Sequence, residues 1–170
     1  MSLADALLPE FDHETAATRT VLERVPQDRA AWKPHDKSMS LGDLAAHLVN
    51  LLGWAHFTLK EIGFETNPPD GQPATPGFES LPQLLGRYDE GVHATRAMLA
   101  ATTDGEMLAP WTLRTGGRVM FTMPRASVFR MFIMNHTVHH RGQLTVYLRL
   151  CDVPLPPLYG PTADARAPEM

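Results

Sequence analysis

His136 and His140 stand four residues apart in a run whose apolar residues recur at helical spacing, and this placement constrains the chain more than any other feature. At 100° per residue the two lie about 40° apart around a helix and roughly 6 Å apart along it, so they share a face. Phe129, Ile133, Gln143 and Tyr147 fall within about 60° of His136 on the same wheel. The imidazoles therefore sit in the apolar stripe, while Arg130, Arg141 and Arg149 gather on the charged side. Such a stripe must be buried, and a buried imidazole needs partners for its ring nitrogens. Two neutral rings aimed at one point begin a transition-metal site. The fold then has to supply the next ligand from another element.

The rest of the chain offers three more helical stretches. Leu8, Phe11, Thr15, Thr18 and Leu22 track one face from about Leu3 to Arg24, with Pro9 expected near the true start and Val25-Pro26 ending the helix. Trp32, in the connector after that helix, is expected to cap the core. Ser40 and Asp43 have the spacing of a helix N-cap, opening a second helix that runs to about Ile62. A third runs from about Ser80 to Ala101 with Leu81, Leu84, Leu85, Tyr88, Val92, Thr95, Met98 and Leu99 inward, and the histidine stripe makes a fourth from Arg125 to about Cys151. Between Glu106 and Met123 the period changes, and two strands flanking Gly116-Gly117 suggest a small hairpin. The proline- and glycine-dense stretch from Asn67 to Gly77 reads as a loop or lid. The expectation is an all-α chain: an antiparallel four-helix bundle over residues 1–154 with one β-hairpin between helices three and four. Residues 155–170 are expected to form an extended C-terminal tail that frays.

His47 is central on the inward face of the second helix, flanked by Asp43, Leu44, Asn50, Leu51 and Trp54, and is the candidate third ligand. His56 is about 180° from it and faces solvent, and His93 has no acid or histidine at matching spacing. His139 lies at the edge of the stripe; it could replace His140 through i,i+3 spacing, but a place on the pocket wall suits it better. Three histidines leave a position for water or substrate, the pattern of a catalytic site. No glutamate sits inside the pair, so the zinc-protease motif is absent, as are a nucleophile elbow and a phosphate loop. Asp43, His139 and His35 are the available proton acceptors.

Charge narrows the partners. With a formal net charge of −4 and no basic run, nucleic acid is not an expected partner. No stretch suggests a membrane span or a signal peptide, and Cys151 is the single cysteine, so no internal disulfide can form. A cytoplasmic protein is the expectation.

Three segments together resemble the DinB/YfiT-like family of four-helix-bundle proteins read as metalloenzymes. They are Trp32-Lys33-Pro34-His35, the stretch Ser38-Met39-Ser40-Leu41-Gly42-Asp43-Leu44-Ala45-Ala46-His47-Leu48, and Asn135-His136-Thr137-Val138-His139-His140-Arg141-Gly142-Gln143. The resemblance implies a divalent metal, commonly zinc or nickel, held by His47, His136 and His140, and a homodimer. It also implies, for some relatives, transfer or isomerisation chemistry that uses low-molecular-weight thiols. The expected activity is that of a metal-dependent thiol S-transferase acting on small molecules. A metal-dependent hydrolase using Asp43 or His139 as base, and a non-enzymatic metal-binding stress protein, are the alternatives.

Overall fold

The computed structural model describes residues 2–71 and 74–164. Helix α1 (Leu3–Leu22) opens with a reciprocal cap: the Ser2 hydroxyl accepts from the Asp5 N–H at 3.0 Å and the Asp5 carboxylate accepts from the Ser2 N–H at 2.9 Å. Pro9 is thus inside the helix and not at its start, a correction to the sequence expectation. A mid-helix proline removes one intrahelical hydrogen bond, and the long buried face of α1 against the core offsets that loss. Leu7, Phe11, Thr15, Thr18 and Leu22 form the buried face, and the two threonine hydroxyls bond back to the Phe11 and Glu14 carbonyls.

Ser40 caps α2 (Leu41–Asn50), which the sequence pattern carries on unbroken to about Ile62. The chain instead overwinds into a 3₁₀ turn (Leu51–Gly53) before α3 (Trp54–Lys60). Gly53 is a weak helix former, and the tighter turn resets the phase of α3 relative to α2. Helix α4 (Leu81–Ala100), capped by Ser80, buries Leu84, Tyr88, Thr95 and Leu99 of the expected inward face, while Leu81, Leu85, Val92 and Met98 are half-buried at its margins. A short α5 (Asp104–Leu108), with a Thr103/Glu106 capping box, has no counterpart in the sequence expectation. The last helical span does start at Arg125, but it comprises α6 (Arg125–Phe129), one π turn (Arg130–Met134) and α7 (Asn135–Leu150).

The all-α expectation with a lone hairpin also needs correction. The protein is mostly helical with a mixed three-stranded sheet. Strand β2 (Pro110–Thr115) pairs antiparallel with β3 (Arg118–Pro124) about Gly116 and Gly117, both at positive φ. On its other edge β2 pairs in parallel with β1 (Gly63–Glu65), a segment to which the sequence pattern assigns no element. Gly63 permits this approach, because a Cβ there would lie 2.3 Å from the Thr112 carbonyl oxygen. The Glu65 carboxylate accepts from the Asn67, Gly116 and Gly117 amides at 2.8–2.9 Å, clamping β1 to the hairpin turn. Trp111, fully buried, ties the sheet to α3 by donating to the Phe57 carbonyl at 2.9 Å.

Helices α1, α4, α2 and α7 pack in a ring, each against the next, around Phe11, Leu44, Leu48, Leu84, Leu99, Phe129 and Leu144. Helix α7 therefore lies between α1 and α2. Trp32 packs on this core edge-on to Tyr147, with ring centroids 5.8 Å apart. Residues 155–164 have no helix or strand but lie against the helices. Leu155 and Leu158 pack on the core, and Asp164 accepts from the Leu155 N–H and pairs with Arg149. Residues 165–170 of the expected tail, and Gln72 and Pro73 of the expected loop, lie outside the described residues. Among the described residues no helix is long and apolar enough to cross a membrane.

Candidate metal centre

The facing stripes of α2 and α7 bring His47, His136 and His140 together. Their ligand atoms all lie within 4.8 Å of one another. The His47 ring is edge-on to both partners, with centroids 5.3 Å from His136 and 4.5 Å from His140. All three side chains are half-buried.

The hydrogen bonds decide which nitrogens face inward. The His140 Nδ1–H donates to the Gln143 side-chain oxygen at 2.7 Å, one turn further along α7. The Phe132 carbonyl, one turn earlier, opposes the lowering of the His136 pKa. A neutral imidazole has one N–H, and that of His140 is used on Gln143. The His140 Nε2 then presents a lone pair to the His136 Nε2, 2.8 Å away. His140 cannot donate to His136 without giving up its bond to Gln143. A cation at that point would be met by both nitrogens, with Gln143 holding the His140 ring in the ligand tautomer. Nitrogens sharing one tetrahedral zinc are about 3.3 Å apart, so the donor set fits such an ion with little movement.

Electrostatics keep the rings neutral. Burial, then the neighbouring His140 and His136, lowers the pKa of His47 to about 4. Burial and His140 lower that of His136 against the opposing Phe132 bond; burial lowers that of His140 against Gln143. Neutral imidazole is the metal-binding form.

The other candidates stand apart. Asp43 is exposed at the start of α2, where its carboxylate accepts from the Ser40 hydroxyl at 2.6 Å. His139 is exposed, its ring edge-on to His140 at 4.8 Å. His35 is exposed in the connector, and its Nδ1 accepts from the Lys37 N–H at 3.1 Å. His56 and His93 are exposed, as expected. The sequence pattern gives Gln143 a place on the stripe but no task; its signal is an amide at i+3 from a clustered histidine. Arg141 is a correction: it is not on the charged side but 1% exposed, pressed against α1. The buried stripe of α7 is centred nearer Thr137, Leu144 and Leu148 than His136, so the histidines and Arg141 occupy its opposite edges.

Fold and site together define a mostly helical protein whose three-histidine cluster is compatible with a metal ion. The chain belongs to the DinB family, whose model matches residues 1–170. It is 26% identical over 164 residues to the uncharacterized protein YrdA of Bacillus subtilis (strain 168), a match covering 94% of this chain and 90% of that one. Two solved structures share the fold. The DinB-like protein YjoA of Bacillus subtilis superposes with a TM-score of 0.64 at 18% identity, over 95% of this chain and 99% of that one. A DinB-like protein of Bacillus cereus ATCC 10987 gives 0.67 at 24% identity, over 91% and 97%.

Proposed function

We propose that this is a metal-dependent enzyme whose divalent ion, zinc or nickel, is held by His47, His136 and His140 in the core of a four-helix bundle. The observation that carries this reading is the meeting of three half-buried imidazoles whose ligand atoms lie within 4.8 Å of one another, with the His140 Nδ1 committed to Gln143 and its Nε2 turned toward His136. Three neutral nitrogen donors leave a coordination position for a small molecule. The reaction favoured is thiol S-transfer with a low-molecular-weight thiol. Such an ion supplies Lewis acidity, which keeps a bound thiol in its thiolate form at neutral pH. The chain's own contributions are the neutral imidazoles, the His140 tautomer set by Gln143, and His139 at the exposed edge, where it can meet an incoming substrate. S-transfer suits the site because it needs no strong protein base, and the Asp43 carboxylate is engaged by Ser40.

A hydrolytic reading draws on one observation, the exposed His139 ring beside His140, which could accept a proton from water. A cytoplasmic homodimer completes the proposal. It rests on the resemblance to relatives and on the single cysteine, and exposed Val146 and Leu150 on α7 are apolar residues that a second copy would cover.

Elemental analysis of the purified protein, with calorimetric titration of Zn(II) and Ni(II), tests the centre. One equivalent is expected in the wild type and none in His47→Ala, His136→Ala or His140→Ala, while His56→Ala and His93→Ala keep full stoichiometry. Retention of metal by any of the first three variants overturns the ligand assignment. A metal-loaded protein that conjugates no common cellular thiol to any electrophile leaves the centre standing and removes the transferase.

A further inference from the structure

Arg141, which directly follows His140, is held entirely on the other flank of its helix. Its Nη1 donates to the Glu14 carbonyl at 2.9 Å and the Thr18 hydroxyl at 3.3 Å, and its Nη2 donates to the Glu14 carboxylate at 2.6 Å. Nη2 also donates to the Tyr159 hydroxyl, which in turn donates to the Glu14 carboxylate at 2.7 Å. The guanidinium carbon lies 5.2 Å from the centre of the Tyr159 ring. One side chain thus joins α7 to α1 and to the C-terminal segment, which Asp164 closes back onto Arg149 of the same helix.

We propose that Arg141 is a positioning residue for the three-histidine centre: through Glu14 and Tyr159 it fixes the rotation of α7 about its own axis. The inference rests on the metal reading above. The other buried side chains of α7 are Thr137, Leu144 and Leu148, and apolar contacts have no preferred direction. An imidazole nitrogen lies about 6 Å from its helix axis, so a 10° rotation moves it about 1 Å. Ligand distances at a metal hold to about 0.2 Å. Directional bonds are therefore needed on the flank opposite the histidines. A planar guanidinium with several fixed donors supplies them, whereas a lysine ammonium on a flexible stem would not. Stability alone does not call for such a group, because an apolar residue of similar size often serves a buried site as well or better. Tyr159 closes the network although 67% of its surface is exposed, so the C-terminal segment takes part in setting the site.

The test separates positioning from folding. The double variant Glu14→Gln/Arg141→Met removes the ion pair without leaving a lone buried charge. Titration with Zn(II) and Ni(II), the absorption spectrum of the Co(II)-loaded protein and the melting temperature of the metal-free protein are compared with wild type. The expected result is metal affinity lower by about 10-fold or more, with a shifted Co(II) spectrum, while the metal-free melting temperature is unchanged or higher. Tyr159→Phe should lower affinity by a smaller factor, about 3-fold. Leu99→Ala, which weakens the core on α4, should lower the melting temperature without moving the Co(II) spectrum. Wild-type affinity and spectrum in the double variant would overturn the proposal while leaving the metal centre intact. A wild-type protein that takes up no metal would overturn the metal reading, and this inference with it.

Discussion

The imidazoles of the cluster are held below their ordinary pKa, and this has a consequence for acid stability. In the unfolded chain His47 takes up its proton near 6.5; in the folded protein burial, with help from His140 and His136, delays this to about 4. Between those values the unfolded state binds more protons, so the metal-free protein loses stability as pH falls through that window. His136 and His140, lowered in the same direction, add to the effect. Melting temperatures measured from pH 7 to pH 4 with chelator present should fall more steeply for wild type than for His47→Gln; equal slopes would contradict the burial argument. Bound metal should be released over the same acid range, because protons compete for the ligand nitrogens. The clustered histidines were legible from helix geometry alone, since i,i+4 spacing and a central wheel position need no knowledge of a partner. Arg141 was not. One step of about 100° from His140 puts it at the margin of the stripe, where only the neighbouring helix decides between core and solvent.

At the scale of elements, local signals placed the helix starts well where a side chain closes on its own backbone, as Ser40 and Ser80 do. Ser2 does the same for α1, so the cap and not Pro9 marks the start of that helix. The π turn before α7 and the 3₁₀ turn between α2 and α3 leave little trace in sequence, because each is a small change of winding imposed by packing. Strand β1 was illegible for another reason. Three residues carry almost no period, and a parallel partner roughly fifty residues away is a tertiary fact. Its anchor is the Glu65 carboxylate on the Gly116-Gly117 turn. Glu65→Ala should therefore speed hydrogen exchange at the Gly116 and Gly117 amides, as read by NMR, while metal stoichiometry stays at the wild-type value. Unchanged exchange at both glycines would mean that pairing with β2 holds the turn without the carboxylate.

At the scale of the molecule, the site joins α2 and α7, elements nearly ninety residues apart in the chain, so an ion held there braces the helical ring. A ligand that binds only the folded state stabilises it by about 2.7 kcal/mol at one hundred times its dissociation constant. For a chain of this size that corresponds to a rise of roughly 5–10 °C in melting temperature, reversed by chelator. Differential scanning calorimetry checks this, and no rise with the His136→Ala variant is the matching control.

The long helices, their inward faces and the three histidines are written in the chain itself. Each comes from a repeat of 3.6 residues and from local caps, which a chain carries without reference to distant parts. The parallel strand, the docking of residues 155–164 and the burial of Arg141 against Glu14 and Tyr159 exist only once the elements have packed. Those outcomes depend on which surfaces meet, and a one-dimensional pattern holds no record of the partner that satisfies a buried charge or an open strand edge. The tautomers at the cluster belong to both levels: Gln143 stands at a local spacing, but only the arrival of His47 from α2 turns a paired stripe into a three-sided site.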